Sequence, residues 1–313
     1  MKRSAGRCDN APFSNHPTTL DMAGTQPGVS APQAQGAQPA PSTHHTVQAG
    51  AVKLHYLDYG SKGKPQMLCI HGGAANGHWF DFIAPGLTDD YHVIALDLRG
   101  HGDSDPVDPP SYTYADYAAD IDKAVQALDL RDFVLIGHSM GGTVSLVYAA
   151  TYPGRVKSLV VVDSTVNLSA ERIGRLRDIG SGPGKSYATQ EELVSRYKLR
   201  PGESLAPPEV VRHIAGHSCK QIADGTWRNK FDRAVYATRE VFDGTPLWAD
   251  VRIPALLVKG DRSERITQEV YAATKKLAPQ VTLEEVSDTD HHITLDNPKG
   301  FLAAVKPFLA KNS

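Results

Sequence analysis

The 313-residue chain has little cysteine, little net charge and no long apolar run. Its three cysteines, Cys8, Cys69 and Cys219, are too few and too scattered for a disulfide framework, so we expect a reducing, cytoplasmic location. A formal net charge of −2 gives no reason to expect nucleic acid or an anionic membrane as a partner. No run approaches the roughly 18 apolar residues of a membrane span. We interpret no Cys-x-x-Cys or His-x-x-x-His spacing as a metal site, and we expect none.

Composition divides the chain into three parts. Residues 1–45 are rich in Pro, Ala, Gln, Gly, Ser and Thr and have few large apolar side chains, which predicts a disordered tail. In residues 46–163 and 249–313, short apolar runs with strand character alternate with helical patterns. This alternation predicts an α/β core with a mostly parallel, doubly wound sheet flanked by helices. Residues 164–248 are polar and helical in places, and they interrupt the alternation.

The pentapeptide Gly137-His138-Ser139-Met140-Gly141 carries the strongest chemical signal. An apolar stretch of strand character precedes it, and a stretch that can form a helix follows it. A G-x-S-x-G motif between a strand and a helix is typical of a nucleophile elbow, a tight turn that exposes the serine hydroxyl. Flanking glycines are needed because a Cβ would strike the neighbouring strand or helix. Ser139 is therefore the candidate nucleophile.

With this motif the chain resembles the α/β-hydrolase family over roughly residues 46–311. The other motifs follow in the family's order: His71-Gly72-Gly73 after an apolar run, Asp97 to Ser104 after the next one, then the elbow, a late acidic turn and a late histidine. The resemblance implies the α/β-hydrolase fold with a helical cap, residues 164–248, inserted after the sixth strand. It also implies a serine hydrolase that needs no cofactor.

A serine hydroxyl requires a base within hydrogen-bond reach, and the base requires an orienting acceptor. In the family pattern the base lies seven residues before a proline that opens the final helix, which selects His291 before Pro298. The adjacent His292 is the alternative.

The resemblance also suggests the acid. Many relatives have the acid three residues after a glycine that ends a late strand, but that position is Ser263. Another branch has Gly-x-x-Ser-Asp, which puts Glu264 in the acid position. Asp261 and Asp163 are the alternatives, the latter because some members of the fold use the strand after the elbow. Asp97 and Arg99 are expected to be architectural, holding their own loop.

Two backbone amides should form an oxyanion hole for the negative charge of a tetrahedral intermediate. One is the amide of Met140, the residue after the nucleophile. In relatives with His-Gly-x the other donor follows that glycine, here Gly73, with Ala74 as the alternative. His71 is expected to brace the loop.

These residues predict a serine hydrolase that cleaves a small-molecule carboxylic ester or lactone through an acyl-enzyme on Ser139. Alternatives are hydrolysis of a carbon–carbon bond in a ring-cleavage product, amide hydrolysis, and a cofactor-free oxygenase. A non-catalytic ligand receptor on the same fold is an alternative of another class. Whether the chain forms a homo-oligomer stays open.

Overall fold

The computed structural model describes residues 38–312. Of the predicted disordered tail, residues 1–45, the part from residue 1 to residue 37 lies outside the described residues. Its last residues belong to the first strand, which begins at Thr43. None of the helices in the described part of the chain combines the length and hydropathy that a membrane span requires.

Six strands and two helices precede the inserted segment. In chain order they are β1 (Thr43–Ala49), β2 (Val52–Asp58), β3 (Gln66–Ile70), β4 (His92–Leu96), α1 (Tyr114–Ala127), β5 (Phe133–His138), α2 (Met140–Thr151) and β6 (Val156–Val162). Single 3-10 turns at Gly77–Phe80 and Ala84–Gly86 lie between β3 and β4. Helix α1 begins with a capping box, in which the Thr113 side chain accepts from the Asp116 amide and the Asp116 side chain accepts from the Thr113 amide.

The inserted segment, residues 164–248, is not purely helical. Its elements are β7 (Asn167–Leu168), α3 (Ala170–Ser181), α4 (Gln190–Arg196), α5 (Pro208–His217), β8 (Cys219–Gln221), β9 (Trp227–Asn229), α6 (Ala234–Ala237) and β10 (Phe242–Asp243). Strand β7 pairs with β10 and β8 with β9, both antiparallel. The expected helical cap thus also contains two small sheets. Its role as a separate domain stays a prediction.

The chain then returns to the main sheet. The remaining elements are β11 (Ala255–Gly260), α7 (Gln268–Leu277), β12 (Thr282–Val286), α8 (Ile293–Asp296) and α9 (Pro298–Asn312). The eight-stranded sheet has the order β1-β2-β4-β3-β5-β6-β11-β12. β1, β2 and β4 are joined antiparallel, and every pair from β4 to β12 is parallel. This confirms the predicted mostly parallel α/β sheet.

The central strands are buried on both faces. Leu68, Leu135 and Leu159 pack on the side of α1 and α2. Their neighbours Cys69, Ile136 and Val160 face the other side, where α9 packs. Continuous apolar strands are what a parallel sheet covered on both faces requires. The carboxyl ends of β3, β5, β6, β11 and β12 therefore meet at one edge of the sheet, where ligands of open α/β sheets bind.

Candidate active site

The turn between β5 and α2 has the backbone of a nucleophile elbow. Ser139 adopts φ 54° and ψ −121°, a conformation that non-glycine residues rarely take. A Cβ at Gly137 would collide with the Gly141 carbonyl, and one at Gly141 would collide with the Ile70 carbonyl. Both glycines are therefore required by close backbone approach. The strained turn leaves the Ser139 side chain lining a cavity at the edge of the sheet.

Ser139 and His291 are brought together by this geometry. The Ser139 hydroxyl donates to Nε2 of His291 over 2.8 Å, and Nδ1–H of His291 donates to Oδ2 of Asp163 over 2.7 Å. His291 is 1% exposed and Asp163 is fully buried. The three side chains therefore form one continuous relay from the cavity into the protein, with the geometry of a Ser-His-Asp triad.

The expected acid, Glu264, does not take part in the relay. It is exposed and lines the cavity, and no hydrogen bond joins it to His291 in the described part of the chain. The acceptor is instead the alternative residue Asp163. Ser263, which stands where many relatives have the acid, donates its hydroxyl to Oδ2 of Asp163 over 2.8 Å.

The physical reason lies in the strand order. Strands β6 and β11 are hydrogen-bonded neighbours, with Val162 opposite Val258. Asp163 follows β6 directly, so its carboxylate enters the same space as the turn after β11. Its backbone has φ 42°, and its amide donates to the Val258 carbonyl over 2.7 Å. Either turn can supply an acid, and the choice depends on which carboxylate points inward.

Burial controls the protonation of the pair. Desolvation raises the pKa of Asp163, and the Ser263 hydroxyl and the Arg265 charge oppose it. Desolvation also lowers the pKa of His291, and nearby His138 adds to this. A neutral imidazole is the form that can accept the proton of Ser139.

Asp261, the other alternative acid, anchors the loop that carries His291. Its carboxylate accepts from the amides of Thr289 and Asp288 over 2.9 and 3.1 Å. The Thr289 amide is the main cause of the lowered pKa of Asp261. The second histidine, His292, donates to the Pro201 carbonyl over 2.9 Å and thus faces the inserted segment.

The candidate oxyanion donors lie beside the nucleophile. Gly73 and Met140 line the same cavity as Ser139. Among the described residues, neither of their amides donates to a protein acceptor. His71 braces this loop, because its Nδ1–H donates to the Gly72 carbonyl and its Nε2 accepts from the Leu98 amide.

The cavity has a volume of about 860 Å³, and six arginines line it. Its cationic lining residues come from both the inserted segment and the turn after β11: Arg172, Arg175, Lys198, Arg200, Arg239, Arg262 and Arg265. The sequence reasoning did not single out these residues. Charged residues scattered over a polar segment are typical of a solvated surface, and only their convergence in space distinguishes them.

A histidine cluster lies outside the cavity, where α5 meets the 3-10 turn at Gly77–Phe80. His213 and His217 are four residues apart on α5, and their ring nitrogens come within 4.8 Å of ligand atoms of His78 and Asp81. His213 and His78 both donate to Oδ2 of Asp81, over 2.6 and 2.9 Å. The rings of His78 and His217 stack at 3.6 Å, so their in-plane lone pairs do not point to a common centre. These side chains fit a hydrogen-bonded network better than a metal site.

Asp97 and Arg99 hold the loop after β4, though not by pairing with each other. Asp97 accepts from Nδ1 of His55 and from the amides of Gly77 and Asp103 over 2.7–2.9 Å. Arg99 makes a two-pronged ion pair with Asp120 of α1.

Comparison with known proteins agrees with this architecture. Residues 65–181 match a family model described as the alpha/beta hydrolase fold. The 2-(acetamidomethylene)succinate hydrolase of Mesorhizobium japonicum is 30% identical over 270 residues, which are 84% of this chain and 94% of that protein. A serine hydrolase-like protein of Danio rerio is 41% identical over 282 residues, 81% of this chain and 83% of that protein.

A solved structure shares the fold. The crystal structure of E-2-(acetamidomethylene)succinate hydrolase superposes with a TM-score of 0.75 at 28% identity, covering 86% of this chain and all of that one. These similarities support a hydrolase. The chain belongs to the alpha/beta hydrolase fold family.

Proposed function

We propose that the protein is a serine hydrolase that cleaves a carboxylic ester or lactone through an acyl-enzyme on Ser139. The observation that carries the proposal is the unbroken relay from Ser139 through His291 to Asp163 at the floor of a cavity. The Ser139–His291 contact, 2.8 Å, lies within the range of about 2.6–3.2 Å that proton transfer requires, and the His291–Asp163 contact orients the base.

In this mechanism Oγ of Ser139 attacks the carbonyl carbon while its proton passes to Nε2 of His291. The carbonyl oxygen becomes negative and is stabilised by the amides of Gly73 and Met140, each such donor lowering the barrier by about 3 kcal/mol. His291 then gives its proton to the leaving alcohol as the ester C–O bond breaks. Water repeats the sequence on the acyl-enzyme and regenerates the Ser139 hydroxyl. Asp163 keeps His291 in the required tautomer and stabilises its charged form.

The test is turnover of p-nitrophenyl esters, from acetate to decanoate, together with labelling by a fluorophosphonate. We expect both activities in the intact protein, and a loss of turnover of at least about 10⁴-fold in Ser139→Ala. Ser145→Ala is the matched control, because Ser145 is buried in α2, the helix that follows Ser139, but does not line the cavity. Turnover that survives in Ser139→Ala would contradict the proposal. Labelling without turnover of any ester or lactone would favour a ligand receptor.

Amide hydrolysis is the second candidate. It is favoured by the similarity to 2-(acetamidomethylene)succinate hydrolase over 94% of that protein, since an acetamido group is the amide in that substrate's name. The relay serves either reaction, but a leaving amine must be protonated by His291 before the C–N bond can break. The ratio of 4-nitroacetanilide to 4-nitrophenyl acetate turnover separates the two candidates. Amide turnover comparable to ester turnover would favour the amidase.

A further inference from the structure

Positive charge is concentrated in the cavity over Ser139. Seven cationic and three acidic side chains line it, whereas the whole chain has a formal net charge of −2. Part of this charge is already compensated. Arg175 pairs with Glu171 and Arg262 with Asp288, over 2.5 and 3.3 Å. The remaining cations decide what the cavity can bind.

Arg172 and Arg265 line the cavity near His291, and neither makes a close ion pair within the described residues. The one hydrogen bond of the Arg172 guanidinium within residues 38–312 goes to the Thr165 hydroxyl over 3.4 Å. Nε of Arg265 is buried and makes no hydrogen bond to the described residues, and its contact with Oδ2 of Asp163 is 3.8 Å long. Burial lowers the pKa of Arg172, and the neighbouring charge of Arg265 adds to this effect. Two like charges thus face one cavity, and the carboxylate that Arg265 approaches, Asp163, already accepts the hydrogen bond of His291.

Arg239 adds a third positive charge, which is almost completely buried. The residue is 4% exposed, and its Nε and Nη1 have no hydrogen-bond partner among the described residues. The guanidinium touches Sδ of Met140 and lies 5.0 Å from the ring centre of Tyr114. Neither neighbour carries a negative charge. A buried cation without an anion is unfavourable, and an anion in the adjoining cavity would relieve this.

We propose that the substrate carries, besides the bond that Ser139 attacks, a carboxylate that is bound by Arg172 and Arg265 and attracted by Arg239. This names the substrate class of the same site and therefore rests on the proposed function. The carboxylate lies at Arg265, whose Nε approaches Asp163, while the oxyanion forms at the backbone amides of Gly73 and Met140. Leu168, Leu176, Ile179 and Leu199 also line the cavity and supply an apolar surface for the rest of the substrate, so the charged residues fix its orientation. The substrates are thus acidic esters, lactones or amides.

The first test is direct binding to the full-length Ser139→Ala protein at pH 7 and low salt, measured by isothermal titration calorimetry. The probes are glutarate, its neutral diamide, and inorganic phosphate. We expect glutarate to bind and the diamide not to bind. Arg172→Gln should weaken glutarate binding by about tenfold or more, the usual loss for a charge-assisted hydrogen bond.

Arg175→Gln is the matched control. Arg175 lies one turn further along α3 and lines the same cavity, but Glu171 already neutralises it. We expect its loss to change glutarate binding by less than about twofold, as for other exposed ion pairs. Equal losses in both variants would overturn the proposal, because general electrostatics would then explain the binding. Tighter binding of phosphate than of glutarate would overturn the carboxylate assignment in favour of a phosphate ester.

The second test uses turnover. The p-nitrophenyl half-ester of adipate should be a better substrate than p-nitrophenyl hexanoate, and Arg172→Gln should reverse or abolish this preference by lowering turnover of the half-ester far more than that of hexanoate. Equal loss of both substrates would indicate a structural role for Arg172 and would overturn the assignment. Since binding is measured without the nucleophile, its outcome is independent of the serine mechanism. Ester turnover without glutarate binding would refute the carboxylate site alone, and binding without turnover or labelling would refute the proposed hydrolase alone.

Discussion

The turns after β4 and β6 both begin with a buried aspartate, but the two aspartates have different surroundings. Asp97 follows β4 and Asp163 follows β6, and both are buried with a histidine Nδ1 on one carboxylate oxygen. Nε2 of His55 lies 3.0 Å from Nδ1 of His44, which belongs to the edge strand β1. The far nitrogen of His291 meets the hydroxyl of Ser139 in a cavity.

The electrostatics of the two aspartates also differ. Burial alone would raise the pKa of Asp97, but the hydrogen bond from His55 and the nearby histidines and amides outweigh it and lower the pKa. For Asp163 burial prevails and the pKa is raised. We therefore expect an aspartate–histidine pair to be structural or catalytic according to what lies beyond the histidine and how many hydrogen bonds the carboxylate accepts. Four measurements can break or sharpen this comparison.

The largest effect is expected for Asp163→Asn. The amide presents a donor where Nδ1–H of His291 needs an acceptor, so the histidine takes the wrong tautomer and kcat for p-nitrophenyl esters should fall by about 10⁴-fold. Glu264→Gln is the control and should change kcat by no more than a few-fold, since Glu264 lines the cavity without touching His291. A reversed order of the two variants would restore Glu264 as the acid.

The second largest effect is expected on the stability of the protein when Asp97 is replaced. Asp97→Asn breaks a buried network of three hydrogen bonds, and we expect the free energy of unfolding to fall by about 3 kcal/mol. Ester turnover per folded molecule should stay within about twofold, because Asp97 does not line the cavity. Urea unfolding and active-site titration measure the two quantities. A loss of kcat at unchanged stability would contradict the structural role.

A smaller effect on rate is expected for Ser263→Ala. Removing the hydroxyl leaves Asp163 with one hydrogen bond fewer on Oδ2, so its carboxylate is held less firmly and kcat should fall by about tenfold. Ser263→Thr keeps a hydroxyl and should recover most of the rate. If alanine and threonine behave alike, Ser263 does not position the acid.

The smallest effect is expected in the pH dependence of the free energy of unfolding. The folded-state pKa of Asp97 lies below its unfolded value, so its ionised form stabilises the protein above about pH 4 and this contribution is lost as the pH falls. The stability difference between the wild type and Asp97→Asn should therefore shrink in acid. Unfolding at pH 3, 4 and 6 measures it. A difference that grows in acid would mean that the folded-state pKa of Asp97 is raised instead.

The elbow could be predicted from the sequence because its signal is local, and the base because the chain resembles the family pattern around Pro298. Gly137, Ser139 and Gly141 lie within one turn, whose steric requirements apply wherever that turn occurs. The alternation of apolar runs and helical patterns similarly predicted the sheet. Within the inserted segment the prediction of helices alone missed two small antiparallel sheets, because β7 to β10 are only two or three residues long. The spacing of His213 and His217 is visible in the sequence. Only the structure shows that His213 donates to Asp81 and that His217 stacks on His78, which favours a hydrogen-bonded network over a metal site.

What the sequence by itself determined is therefore the α/β core and the strained Ser139, since each follows from the steric needs or periodicity of a short stretch, whereas His291 followed from the resemblance to the family pattern. The tertiary structure decided the acceptor of His291 and the chemistry of the cavity. Asp163 and Ser263 are separated by 100 residues in the sequence. They form a hydrogen bond because β6 and β11 are neighbours in the sheet. Arg172, Arg239 and Arg265 likewise come from three separate segments of the chain. Their charges act together because electrostatic interactions depend on distance in space rather than on separation along the chain.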